Sequence, residues 1–397
     1  MARQPAVRSL KFTLLLGLAL TVCAATSLHA EGLYEQTDLF VGGQDDYNTY
    51  RIPSLICTKS GTLLAFSEGR RDDSADGTPT DIVLKRSLGN SGIWAPAFLP
   101  LKTEGRSRRN TMMWLPLQVV IRSTHGEAYM NPVPVIDRTD GAIYLLANLY
   151  PQPYKDLPAE IWLIKSTDEG ATWSKPVDIT PGTGRKELGP GDGIQLQSGR
   201  LMVQGYDGVI FSDDHAKTWR SGGVVSGALN ETQVVELADG SLMFTKRGAP
   251  SRLVMLSKDQ GESWSEPVRD PNLPDPDCQG SLIRYTREDE GRNRLLFANP
   301  VSGAIAAGTV ESDPRGRFNV TVRLSYDEGK SWPVAKLIHK GPGAYSSMTV
   351  FPDGSIGILF ETGETYDSYV DHYGKLVFAR FTLDWLTDGR DYLEKKK

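Results

Sequence analysis

Three arginines stand inside apolar, strand-like text, where a charge without a partner is costly: Arg51 in YRIPSLI, Arg247 in LMFTKRG and Arg323 in VTVRLSY. Around Arg323, Val320, Val322 and Leu324 alternate with Thr321, Arg323 and Ser325, so the guanidinium points away from the valine face. Each of the three, taken singly, reads as a structural ion pair. Were they to converge from inner strands, they would make a rigid clamp for one carboxylate, because each offers a planar fork of donors. No His and Cys cluster occurs at metal-ligand spacing, and there are only 5 His in the chain, so no metal or organic cofactor is implied.

The elements that must carry these residues are strands. Short β-branched and aromatic runs such as TLLAFSEG, AIYLLANL and SIGILFET are separated by Asp-Gly, Ser-Gly and Pro punctuation, and helical periodicity is nearly absent. One octet recurs after an apolar strand: STDEGATW at 166–173, SDDHAKTW at 212–219, SKDQGESW at 257–264 and SYDEGKSW at 325–332. Its Asp can accept hydrogen bonds from turn amides, its Gly relieves a positive φ, and its Trp covers the gap between strands. Asp168, Asp214, Asp259 and Asp327 are therefore turn-makers rather than catalysts, since a repeated feature serves a repeated fold. Where the second octet has Ala216 in place of Gly, slight strain is expected.

The octets are 46, 45 and 68 residues apart, a period that fits a blade of about four strands. The reading is an all-β, six-bladed β-propeller of four-stranded antiparallel blades, with seven blades as the nearest rival. A degenerate fifth octet is expected in RSLGNSGIW, which keeps Ser87 and Trp94, followed by a solvated insertion bearing Arg106, Arg108 and Arg109.

The chain of 397 residues holds 44 Lys plus Arg against 49 Asp plus Glu. That length and balance exclude a mini-protein and a disordered tail, and the negative sign argues against nucleic acid or an anionic membrane as partner. Residues 1–30 carry Arg3, Arg8 and Lys11, no acid, an apolar run from Phe12 to Ala25, and Ala30 before Glu31, which reads as an export signal. The run is shorter than the ~20 residues a membrane span needs, so no integral membrane segment is expected. Cys23-x-Ala25 offers a second cleavage choice, and Val22 fits badly with a lipoprotein anchor at Cys23. The expected product is one catalytic domain, 31–397, in the periplasm or outside the cell, with Cys57 and Cys278 as buried thiols rather than a disulfide framework.

YRIP near the mature N-terminus, the four Asp-box octets, LNETQ around Glu231, NVTVRLSYDEGKSWP and the YSS at 345–347 together resemble the exo-α-sialidases (neuraminidases) of the bacterial and animal type with BNR repeats. The resemblance runs from about residue 38 to 384, and that family folds as six-bladed propellers. It implies that Arg51, Arg247 and Arg323 hold the sialic acid carboxylate, that Glu361 in LFETG braces the first of them, that Tyr345 in GAYSSM is the nucleophile and Glu231 its base. In the loop EGRRDDSADGTPTDIVLKRS it implies an acid/base Asp. Asp76 fits best, six residues after Arg70 and six before Ile82, with Asp73 in reserve. Arg70 is then a sugar or carboxylate contact, a role Arg71 could exchange with it.

A tyrosine in place of a carboxylate has a physical reason. Sialic acid carries a carboxylate on its anomeric carbon, which repels an anionic nucleophile, and a neutral phenol avoids that repulsion until a nearby carboxylate takes its proton. The implied activity is a secreted, retaining exo-α-sialidase acting on sialylated glycoproteins, glycolipids or oligosaccharides. A trans-sialidase, an intramolecular trans-sialidase and a non-catalytic glycan-binding Asp-box propeller are the alternatives.

Overall fold

The computed structural model describes residues 1, 32–88, 112–152, 157–184, 187–227, 230–301, 316–363 and 373–393. The expected leader, the insertion with Arg106, Arg108 and Arg109, and most of the degenerate fifth octet lie outside the described residues. Among the described residues helix is confined to single turns at Thr180–Thr183, Leu383–Leu386 and Glu288–Glu290, and the rest of the regular structure is strand.

Two sheets are plain four-stranded antiparallel meanders. One contains Ile194–Gln195, Leu201–Gly205, Gly208–Ser212 and Arg220–Val224; the other contains Thr232–Glu236, Leu242–Lys246, Ser251–Ser257 and Val268–Pro274. An eight-stranded sheet is joined by one parallel pairing, Thr80 with Ala128, between Thr80–Ser87 and Ala128–Ile136. On either side of that junction all neighbours are antiparallel. In the seven-stranded sheet, Val334–Val350 pairs with Phe318–Ser325 up to Pro342 and with Ile356–Thr362 from Gly343 onward. The first strand, Tyr34–Val41, lies antiparallel to the last, Lys375–Phe381.

Apolar faces are buried between successive sheets. Val133, Tyr144 and Leu146 pack with Leu201, Val203 and Ile210, while Val235 and Met243 pack with Leu282, Leu295 and Phe297. A further cluster joins Phe40, Tyr50, Leu55 and Val83 to Leu359, Leu376 and Phe378, so the start of the chain shares a core with its end. Val320, Val322 and Leu324 are fully buried in the core, as the alternation requires.

The octets are turns, as their repetition implies. Asp168 accepts from the Ser166 hydroxyl at 2.8 Å, the Thr172 amide at 2.9 Å and the Thr172 hydroxyl at 2.6 Å; the second and fourth octets repeat the pattern on Asp214 and Asp327. Gly170, Gly261 and Gly329 take φ of 77°, 90° and 80° at one position, and Ala216 takes 60° there. Trp173 meets Phe66 edge-on, at 5.9 Å between centroids. The two described cysteines are not disulfide-bonded: Cys278 is buried, whereas Cys57, expected to be buried, is only partly so.

Candidate active site

The site begins at two irregularities in strand pairing. In Thr49–Cys57 the register shifts between Arg51 and Ser54, and Ile52 adopts φ of 57°, costly for a β-branched residue. In Val334–Val350 it shifts between Gly343 and Ser346. Arg51 and Tyr345 project from these bulges, where the ladder cannot hold the backbone by itself. Glu361, fully buried on Ile356–Thr362, holds both: its carboxylate accepts from the Ile52 amide at 2.9 Å, the Tyr345 amide at 3.1 Å and Arg51 Nε at 3.2 Å.

Glu231 and Arg247 come from one hairpin. Glu231 immediately precedes Thr232–Glu236, Arg247 immediately follows Leu242–Lys246, the two strands pair directly, and the Arg247 amide donates to the Glu231 carbonyl at 2.8 Å. The Tyr345 hydroxyl donates to Glu231 Oε1, and Arg247 Nη1 donates to Glu231 Oε2 at 2.7 Å and to the Tyr345 hydroxyl at 3.0 Å. Burial pushes the Tyr345 phenol well above its usual value, the Glu231 charge adds to that, and Arg247, Arg317 and Arg51 act in the opposite sense. The phenol is thus neutral at rest, with its proton directed at Glu231.

The third arginine beside Tyr345 is Arg317, not Arg323. The Arg317 guanidinium lies 5.5 Å from the Tyr345 ring centroid and donates to the Tyr373 hydroxyl and the Asp277 carbonyl, each at 3.1 Å. Arg51 stacks on Tyr373 at 3.7 Å and lies 5.2 Å from the Tyr345 ring, while Arg247 Nε is held by Asp277 at 3.1 Å. Arg323 instead donates to Asn299 Oδ1 at 2.9 Å, and burial lowers its guanidinium to about 10. The alternation correctly told which face Arg323 occupies, but face is not position along the strand. Arg323 sits mid-strand, whereas Arg317 immediately precedes Phe318–Ser325, as Glu231 precedes its own strand. The polar text PRGRFN around Arg317 hid it. Its strand-end place was the signal available.

Asp76 and Arg70 belong to the same cluster. Asp76 Oδ1 accepts from Arg70 Nη2 at 2.8 Å and stands 3.8 Å from Arg51 Nη1, with its side chain half exposed. Asp73 accepts from the Ala75 amide at 2.8 Å and caps a turn. Arg71 binds buried Asp81 at 2.6 Å, so Arg70, rather than Arg71, faces the cluster. Beneath Arg70 lies Glu68, which the sequence did not single out. It is fully buried, accepts from Arg70 Nε at 3.0 Å and the Asn131 amide at 2.9 Å, and burial raises its carboxyl above the usual range. The arrangement can bind an anion among three guanidinium groups, activate a phenol and present a carboxyl group from a solvent-facing loop.

The chain matches the family described as BNR repeat-like domain over residues 61–358. It is 31% identical to a sialidase of Micromonospora viridifaciens, with 97% of this chain aligned but only 61% of that protein's length covered. To an exo-alpha-sialidase of Aspergillus fumigatus it is 31% identical, with 86% of each protein covered. The solved structure of the Hadza microbial sialidase Hz136 superposes with a TM-score of 0.72 at 26% identity, covering 88% of this chain and 69% of that one.

Proposed function

Since the chain belongs to the sialidase family with BNR repeats, we propose that it is a retaining exo-α-sialidase, releasing terminal α-linked sialic acid from glycoproteins, glycolipids or oligosaccharides. The observation that carries this is the Tyr345 hydroxyl bonded to Glu231 within a ring of Arg51, Arg247 and Arg317. The arginines receive the substrate carboxylate. Asp76 protonates the leaving glycosidic oxygen while Tyr345 Oη bonds to the anomeric carbon and its proton passes to Glu231. Asp76, now a carboxylate, takes a proton from water, which displaces Tyr345, and Glu231 returns the phenol proton. Two displacements at one carbon give retention. Each step uses only these side chains and water.

The same reading extends to architecture and location. The two plain meanders, the halves of the eight-stranded sheet on either side of Thr80 and Ala128, and the halves of the seven-stranded sheet divided within Val334–Val350 make six four-stranded units, which supports a six-bladed propeller. Residues 31–397 form the catalytic domain in this reading, and residues 1–30 direct its export. The deciding experiment is incubation with a fluorogenic α-sialoside, followed by NMR of the sugar as it is released. Free sialic acid appearing first as the α-anomer supports the proposal. No turnover would leave the glycan-binding alternative, and an anhydro sugar or transfer to an acceptor would favour the trans-sialidase alternatives.

A further inference from the structure

The bulges that carry Arg51 and Tyr345 are held on one side by Glu361. On the other side stands a second carboxylate with no assigned task. Asp192 lies in the segment from Leu188 to Gly193, which is tied to strands from several sheets. The Gly189 amide donates to the Gln204 carbonyl at 3.1 Å, the Gly193 amide to the Pro134 carbonyl at 2.9 Å, and the Gln233 amide group to the Pro190 carbonyl at 2.9 Å. At Gly191, with φ of 113°, a Cβ would stand 2.0 Å from the Gln233 side-chain nitrogen, so the close approach requires glycine. Asp192 is fixed in position by this segment.

Its carboxylate accepts from the Ser54 hydroxyl, from the Leu55 amide at 3.3 Å and from the Ser347 hydroxyl at 2.7 Å. These residues lie where the ladders have just recovered after the two bulges: Ser54 opposite Phe66 and Leu55 opposite Ala65 in one, and in the other Ser347 opposite Leu359, one pair beyond Ser346 opposite Phe360. The Ser347 hydroxyl also receives the Leu55 amide at 2.9 Å, which joins the two strands directly. We propose that Asp192 is a positioning residue that, as the carboxylate, fixes where the bulges of Arg51 and Tyr345 end and so sets the reach between guanidinium and phenol. This rests on the reading of Tyr345 and Arg51 as part of the reaction centre.

Among the described residues Asp192 has two hydroxyls and an amide as partners and no cation. Burial accordingly pushes its carboxyl up to about 7, despite the three hydrogen bonds that favour the charge. The charged groups sharing its cavity of about 980 Å3, Lys59, Arg138, Asp140, Glu169, Glu236, Arg284 and Arg287, make no hydrogen bond to it. Of the two strands it joins, Thr49–Cys57 carries the ionisable groups Tyr50, Arg51 and Cys57, and Val334–Val350 carries Lys336, His339, Lys340 and Tyr345. A carboxyl held protonated to a higher pH in the folded state than in the unfolded one subtracts stability as pH rises between the two values, here from about 3.8 to about 7.

Asp192→Asn keeps the shape of the neutral acid and cannot ionise. The test is kcat/KM on a fluorogenic sialoside and Tm, for wild type and D192N, from pH 5 to pH 8.5. The two should be nearly equal in activity at pH 5, where Asp192 itself is mostly protonated. D192N should fall behind by roughly tenfold at pH 8.5, as a small misplacement of reacting groups produces. Over the same range the Tm of D192N should rise relative to wild type. Activity and stability moving in opposite directions is what a purely structural carboxylate cannot give. An activity ratio that stays constant with pH, or D192N matching wild type throughout, would overturn the assignment while leaving the sialidase reading intact. Absence of turnover in wild type would overturn both. If D192N does not fold, Ser347→Ala keeps the carboxylate and removes one donor; kcat/KM unchanged at pH 8.5 in that variant overturns the proposal.

Discussion

At the scale of the residue, the division of labour around Tyr345 can be separated by substitution. Tyr345→Phe removes the oxygen proposed as nucleophile and leaves three guanidinium groups, so turnover should disappear while a sialic acid analogue still binds in calorimetry; a variant that retains wild-type kcat would exclude Tyr345 as nucleophile. Arg317→Ala should weaken that analogue by about 1.5 to 3 kcal/mol, the range for lost hydrogen bonds to a charge. Arg323→Ala should leave the affinity alone and lower Tm, because its partner is Asn299 in the protein. The reverse result would restore Arg323 to the clamp. Asp76→Ala should impair hydrolysis of sialyl-lactose far more than that of an aryl sialoside, whose leaving group needs little protonation. Asp73→Ala, which removes only a turn contact to Ala75, should not discriminate between the two substrates. The sequence exposed Arg51 and Arg247 through their apolar surroundings, but Glu68 and Asp192 could not be found that way. An acid in FSEGR or GPGDG looks like any turn acid until the fold removes water from it.

At the scale of the element, the octets were the most legible feature, because a short turn whose Asp binds its own neighbours needs nothing from the rest of the chain. Hydrogen bonds from the Thr172 hydroxyl, foremost, hold the Asp168 carboxyl down to about 2. A carboxyl depressed in the folded state stabilises the fold above its unfolded value, near 3.8, and that contribution is lost as pH falls through the folded value. Asp168→Ala should therefore lower Tm at pH 5, with the gap to wild type closing toward pH 2, and the folded fraction should remain active. A gap independent of pH would mean that the charge is not what the turn uses. At Ala216, where the other octets have glycine and φ is 60°, Ala216→Gly should raise Tm, since a non-glycine residue in this region costs roughly 1 to 2 kcal/mol. The bulges were not legible, because YRIPSLI and GAYSSM read as continuous strands; the shift of register depends on Glu361 and Asp192, far away in sequence.

At the scale of the whole molecule, strand count and period predicted repeated four-stranded sheets, and two of the four described sheets are of that kind, the others having seven and eight strands. What no local pattern could tell is which strand completes the seven-stranded sheet. It is Tyr34–Val41, seated on Lys375–Phe381, with Leu39 and Phe40 in the core shared by both ends. Removing residues 32–41 should leave most sheets formed in far-ultraviolet circular dichroism but broaden the thermal transition and abolish turnover; a sharp wild-type transition would show the strand to be dispensable. The same pairing has a consequence in time. Asp38 and Lys375, bonded at 2.9 Å, are 337 residues apart in the chain. At the usual pace of synthesis of about 5 to 20 residues per second, the first strand waits roughly 17 to 70 s for its partner to be made. During that interval its hydrogen-bonding edge is open to any other nascent strand. The yield of native protein should thus fall as elongation slows or chains are made closer together, and rise where elongation is fast and chains are sparse.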